Sequence, residues 1–136
     1  MGAGVEYETV REARDHLKDI LDAADAGTPV TVVRDSRRVA AVDADRLVRF
    51  LIGVRPSGAK AIAENDGWSL FIPGVPVAGD GATLDDAVEE MIDALRDYAI
   101  DWVDHLRNAP NHADNWALVQ IVSLASDEQL RDWLLA

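Results

Sequence analysis

The 136-residue sequence has no cysteine, which excludes a disulfide framework and thiolate-ligated metal sites. It has no apolar run near the roughly 18–20 residues that a membrane span requires. Aromatic residues make up only 6%, and the four tryptophans (Trp68, Trp102, Trp116, Trp133) all fall in the second half. Basic residues are scarce there too. Beyond residue 60 only Arg96, Arg107 and Arg131 stand against fifteen Asp/Glu, whereas residues 1–60 hold ten of each sign. The whole formal charge of −12 therefore resides in residues 61–136. An anionic second half repels nucleic acid, so any phosphate contact falls to the first. The start "MGAGVEYETVREAR" lacks the basic-then-apolar order of a signal peptide, so a cytoplasmic protein without a membrane partner is expected.

What is present is globular, at 49% hydrophobic and 28% charged residues. A short strand over 5–7 leads to Thr9 and Glu12, a T-x-x-E capping pattern that opens a helix. Leu17, Ile20, Leu21 and Ala24 carry that helix on at helical spacing until Gly27 and Pro29 stop it. "VTVV" and "VAAV" read as two strands joined by "RDSR", and a second helix, capped by Asp43, ends at Gly53. "VRPSGAK" separates two differently charged regions. The expected domains are 1–53 and 60–136, with 54–59 as a linker.

After the linker, "KAIAE", "NDG" and "WSLFI" make a hairpin. A loop with a short strand over 75–79 precedes a long helix opened by Thr83 and Asp86. Leu84, Val88, Met91, Leu95, Tyr98, Trp102 and Leu106 form its apolar seam, and Pro110 ends it. Two shorter helices close the chain, the second opened by an S-x-x-Q box at Ser126.

Residues 4–52 resemble the Phd/YefM antitoxin family. The match lies in the E-A-R-x-x-L helix (Glu12, Ala13, Arg14, Leu17), the G-x-P-V entry into a strand, and the basic hairpin, whose usual turn glycine is replaced by Asp35 and Ser36. Residues 60–100, "NDGWSLFIPGVPVAGDGATLDDAVEEMIDALRDYA" above all, resemble HicB-type antitoxin domains, with Pro76–Val77 in place of the usual Gly-Cys. The resemblances imply an α+β chain: a small Phd/YefM-like α/β dimerisation domain, then a HicB-like, truncated ribonuclease-H-like hairpin with a long helix and C-terminal helices. A dimer core of Val5, Tyr7, Val30, Val32, Val39, Ala41 and Leu47 is expected. Each half lacks the function that the other supplies, since the Phd/YefM toxin-binding tail and the HicB DNA-binding module are both missing.

The candidate DNA-binding residues are Arg11, Arg14 and Lys18, at three- and four-residue spacing, together with Arg34, Arg37 and Arg38 at the hairpin tip. Guanidinium forks suit phosphates and guanine edges, although a charged turn can equally be a solvated one. Trp68 is the expected exposed anchor for a protein partner. With Phe71 and the helix acids Asp86, Glu90, Asp93 and Asp97 it forms the candidate toxin-binding set; the bland reading of those acids is a solvated helix face. His16, His105 and His112 are scattered and suggest no metal centre. The expectation is a non-enzymatic type II antitoxin with no cofactor, a homodimer or higher even-numbered oligomer that binds operator DNA and a cognate toxin. The alternative is a DNA-binding regulator whose second domain senses a ligand or self-associates.

Overall fold

The computed structural model describes residues 4–136; residues 1–3, the start of the expected first domain, lie outside the described residues. The chain divides into two compact units, Met1–Leu47 and Val48–Ala136.

In the first unit, β1 (Val5–Tyr7) is followed by α1 (Val10–Asp15), α2 (Leu17–Ala26), β2 (Val30–Arg34) and β3 (Arg37–Ala41). β1 pairs parallel to β2, and β2 antiparallel to β3, giving a mixed three-stranded sheet. Thr9 Oγ1 accepts from the Glu12 N–H (3.1 Å), so the expected cap opens α1. The single expected helix is instead broken at His16, whose backbone leaves helical geometry (φ −123°, ψ 27°). The His16 ring there stacks on Tyr7 at 5.5 Å. Gly27 ends α2 in the left-handed conformation (φ 81°) that spares a glycine the Cβ clash.

Alternation along the strands gives this sheet two unlike faces. Tyr7 and Val30 are buried with Ala13 and Ile20, and Val32 and Ala41 pack against them. The expected dimer core therefore needs correction: Tyr7 and Val30 belong to the protomer's own core, because α1 and α2 cover that face. Val5 and Val39 remain exposed, as do Leu17 and Leu21. Glu6, Thr31 and Arg38 lie on the opposite face.

Helix α3 (Ala44–Val54) contains the division between the units, whereas the expected boundary followed it. Asp43 Oδ2 accepts from the Arg46 N–H at its start (3.0 Å).

In the second unit, β4 (Lys60–Glu64), β5 (Gly67–Phe71) and β6 (Ala78–Gly81) form an antiparallel meander. The third strand begins three residues later than expected. One face of this sheet carries α4 (Leu84–Asp101), capped by Thr83 Oγ1, which accepts from the Asp86 N–H (3.1 Å). Gly79 and Gly81 let the helix approach: a Cβ on Gly79 would collide with the Ala87 carbonyl oxygen and lie 2.6 Å from the Met91 nitrogen. Val88, Met91, Leu95, Tyr98 and Trp102 are buried as the seam requires. The helix does not run unchanged toward Pro110; Trp102–Leu106 form a π-helical turn.

Helices α5 (Trp116–Leu124) and α6 (Asp127–Leu135) complete the unit. At α6 the capping box is reciprocal: Ser126 Oγ accepts from the Gln129 N–H (3.1 Å) and Gln129 Oε1 from the Ser126 N–H (2.9 Å). The segment expected to be a linker is packed. Ser57 is buried, and Trp133 Nε1 donates to the Arg55 carbonyl (2.8 Å).

Candidate nucleic-acid and partner surfaces

The three hairpin arginines separate into two groups. Arg34 and Arg37 occupy directly opposed positions on the last rung of β2–β3, side by side on the helix-bearing face. Both are exposed, and neither forms an ion pair among the described residues. Like charges on opposed positions repel, an arrangement that an anion relieves. Arg38 points to the other face, where its Nε donates to Glu6 Oε1 (2.8 Å) beside Thr31 Oγ1, which donates to the same oxygen (3.0 Å). First the Arg38 hydrogen bond and then that of Thr31 hold the Glu6 carboxyl below its ordinary pKa. The turn itself is made by Asp35 at φ 54°, a left-handed conformation that Asp tolerates better than most residues.

Arg11 and Arg14 share α1, exposed and without an ion pair among the described residues. Lys18 lies beyond the break at His16, in α2, and its Nζ pairs with Asp22 Oδ2 (2.8 Å). The continuous helical face expected for these three is thus interrupted. Arg46, which sequence spacing did not single out, donates to the Asp25 carbonyl (2.9 Å) at the end of α2. It serves the helix C-terminus.

In the second unit Asp86, Glu90, Asp93 and Asp97 recur every three or four residues along α4. They are exposed and make no ion pair among the described residues. Their neighbours are engaged elsewhere: Arg131 pairs with Asp85 (3.2 Å) and Glu89 (3.8 Å). The two hairpin aromatics are not brought together. Trp68 shares the face of buried Leu70, against which α4 packs, while Phe71 lies on the opposite face. Trp68 is half-buried, and the tryptophan most open to solvent is Trp116, 50% exposed at the start of α5. The residue pattern alone could not distinguish them, because each lies at the edge of an apolar segment.

A polar network closes the helical end. Asn115 Nδ2 donates to the Tyr98 hydroxyl (2.8 Å), which leaves the phenol hydrogen for His112 Nδ1, also at 2.8 Å. Trp102 Nε1 donates to the His112 carbonyl (2.8 Å). His112 thus has a structural position. Among the described residues no three His, Asp or Glu side chains converge as a metal-ligand set, and no helix is long and apolar enough to cross a membrane.

The described residues thus form an α+β chain, a mixed sheet with two short helices and then a meander carrying a long helix. The chain is similar in structure to the antitoxin part of a proposed toxin/antitoxin system from Syntrophomonas wolfei subsp. wolfei. The TM-score is 0.78 at 17% identity, over 93% of this chain and 94% of that one, a likeness of fold. No curated protein matches the sequence. A family model does: residues 5–136 match the PHD-like family, described as the antitoxin of toxin–antitoxin, RelE/RelB, TA systems. The chain belongs to that family, and the match runs through both units.

Proposed function

We propose that the chain neutralises a cognate toxin by direct binding through its second unit and represses its own operon through a dimer of its first. The observation that carries the DNA half is the opposed, unpaired Arg34 and Arg37. With Arg11 and Arg14 they give the first unit free guanidinium groups, while Lys18 and Arg38 join after exchanging their acidic partners for phosphate. Exposed Leu17, Leu21, Val5 and Val39 support a dimer, which doubles every contact and suits a two-fold operator. Within the second unit, the Phd/YefM–HicB division is supported by an antiparallel meander carrying an acidic helix. The stripe Asp86, Glu90, Asp93 and Asp97 suits a basic toxin, with Trp68 and Phe71 as hairpin contacts on opposite faces of the sheet.

Two measurements test this reading. Arg14→Ala is expected to weaken binding to the DNA upstream of its own gene while leaving the melting temperature unchanged; equal affinity removes Arg14 from the interface. Co-expression with the product of the neighbouring toxin gene is expected to restore growth, and continued arrest removes the antitoxin role.

A further inference from the structure

Outside the surfaces above, the second unit has a groove where the C-terminal half of α4 meets α5. Buried Ala99 and Val122 form its floor. Ile100 and Val103, 63% and 50% exposed, stand at its mouth, and the groove encloses about 390 Å³. Two apolar side chains this open, beside an apolar depression, are a feature of interaction sites.

The rim is acidic in effect. Asp104 lines the groove, while Asp97, three residues before Ile100, lines the adjoining depression with Tyr98 and His112. Arg96 also lines it, but that guanidinium is already committed, donating to the Val122 carbonyl (2.8 Å), the Ala125 carbonyl (3.2 Å) and Asp127 Oδ1 (2.6 Å).

We infer that this groove seats a cationic amphipathic helix of the partner toxin; the inference rests on the antitoxin reading and gives that interaction an apolar anchor. Both walls are helices whose main-chain groups are bonded internally. A strand laid between them would find no backbone partners, whereas a helix brings its own hydrogen bonds and needs only side-chain contacts. The charge selects the occupant. A second copy would set Asp104 against the same acid and bring two chains of net charge −12 together, and a duplex or an anionic lipid surface would be repelled, whereas lysines and arginines flanking an apolar stripe are attracted.

The test titrates the purified toxin encoded beside this chain into the full-length protein, with growth rescue as a second readout. Ile100→Ser with Val103→Ser is expected to lower affinity at least tenfold, and Asp104→Lys at least threefold. Phe50→Ser and Asp45→Lys, exposed positions on α3, are expected to stay within twofold of wild type. All five positions are open to solvent, and Asp104→Lys keeps the test decisive if the double variant melts early. Groove variants that bind as tightly as wild type overturn the inference while the antitoxin reading stands. A wild-type chain that neither binds nor rescues removes that reading and the groove with it. Self-association that is lost in the double variant would also overturn it, by showing a second copy in the groove.

Discussion

Arg34 and Arg37 face each other across the last rung of the β2–β3 hairpin, two exposed guanidinium groups with no carboxylate between them among the described residues. One rung further in, Arg38 does the opposite, crossing to the other face to meet Glu6 at 2.8 Å. A hairpin that needed only solubility could have paired all three.

Replacing Arg37 by alanine relieves that repulsion, so the free protein should gain a few tenths of a kcal/mol, about the size of an unfavourable cross-strand pair. Operator affinity should fall, and the slope of log affinity against log salt should shrink by about one for each phosphate left unneutralised. Melting curves and fluorescence anisotropy across a salt series measure both. A more stable protein with unchanged DNA binding would assign the arginine pair to another role.

The Glu6–Arg38 ion pair predicts a pH effect of definite sign. The folded pKa of Glu6 lies below the ordinary carboxylate value of 4.5, so its stabilising contribution is present above that value and is lost as pH falls through the folded pKa. Glu6→Gln should therefore bring the melting temperature down slightly at neutral pH and make no difference at the acid end. The Glu6 carboxyl resonance, followed by NMR, should titrate below that of a free glutamate. A midpoint at or above 4.5 contradicts the ion pair.

Gly79→Ala should be costly. The added methyl meets main-chain atoms of α4, the Ala87 oxygen and, at 2.6 Å, the Met91 nitrogen, and backbone cannot rotate away as a side chain can. A loss of about 1–3 kcal/mol in urea unfolding is expected, the range for overpacked sites. Gly53→Ala, with nothing near the added methyl, should be neutral or stabilising.

Trp133→Phe removes the hydrogen bond to the Arg55 carbonyl while retaining most of the buried ring. The cost should be about 1 kcal/mol. Amide exchange over residues 55–59 should quicken while exchange in β5 does not. Equal acceleration throughout the second unit would mean that Trp133 acts only through the core.

Much of the architecture was legible because it is set over three or four residues. Thr9, Thr83 and Ser126 each accept from the amide three positions on, and Gly27 terminates its helix, all within one turn of sequence. The α4 seam was equally local, since period alone places Val88, Met91 and Leu95 on one side. Less was legible where a local pattern meets a distant partner. Arg11, Arg14 and Lys18 share a spacing, but the helix breaks at His16, where the ring stacks on Tyr7. Trp68 and Phe71 are close in sequence, yet an odd separation on a strand sends them to opposite faces.

The sequence by itself determined the order of the strands and of the helical stretches between them, the side-chain caps that open those stretches and the segregation of all the net negative charge into residues 61–136. Tertiary structure alone decided which arginines stay unpaired, that residues 55–58 are fastened to α6, and that Ile100 and Val103 stand open over an apolar floor. The reason is range: caps and periodicities act between neighbours in the chain, whereas Glu6 with Arg38, or Trp133 with Arg55, meet only after packing has closed a sequence separation of 32 or 78.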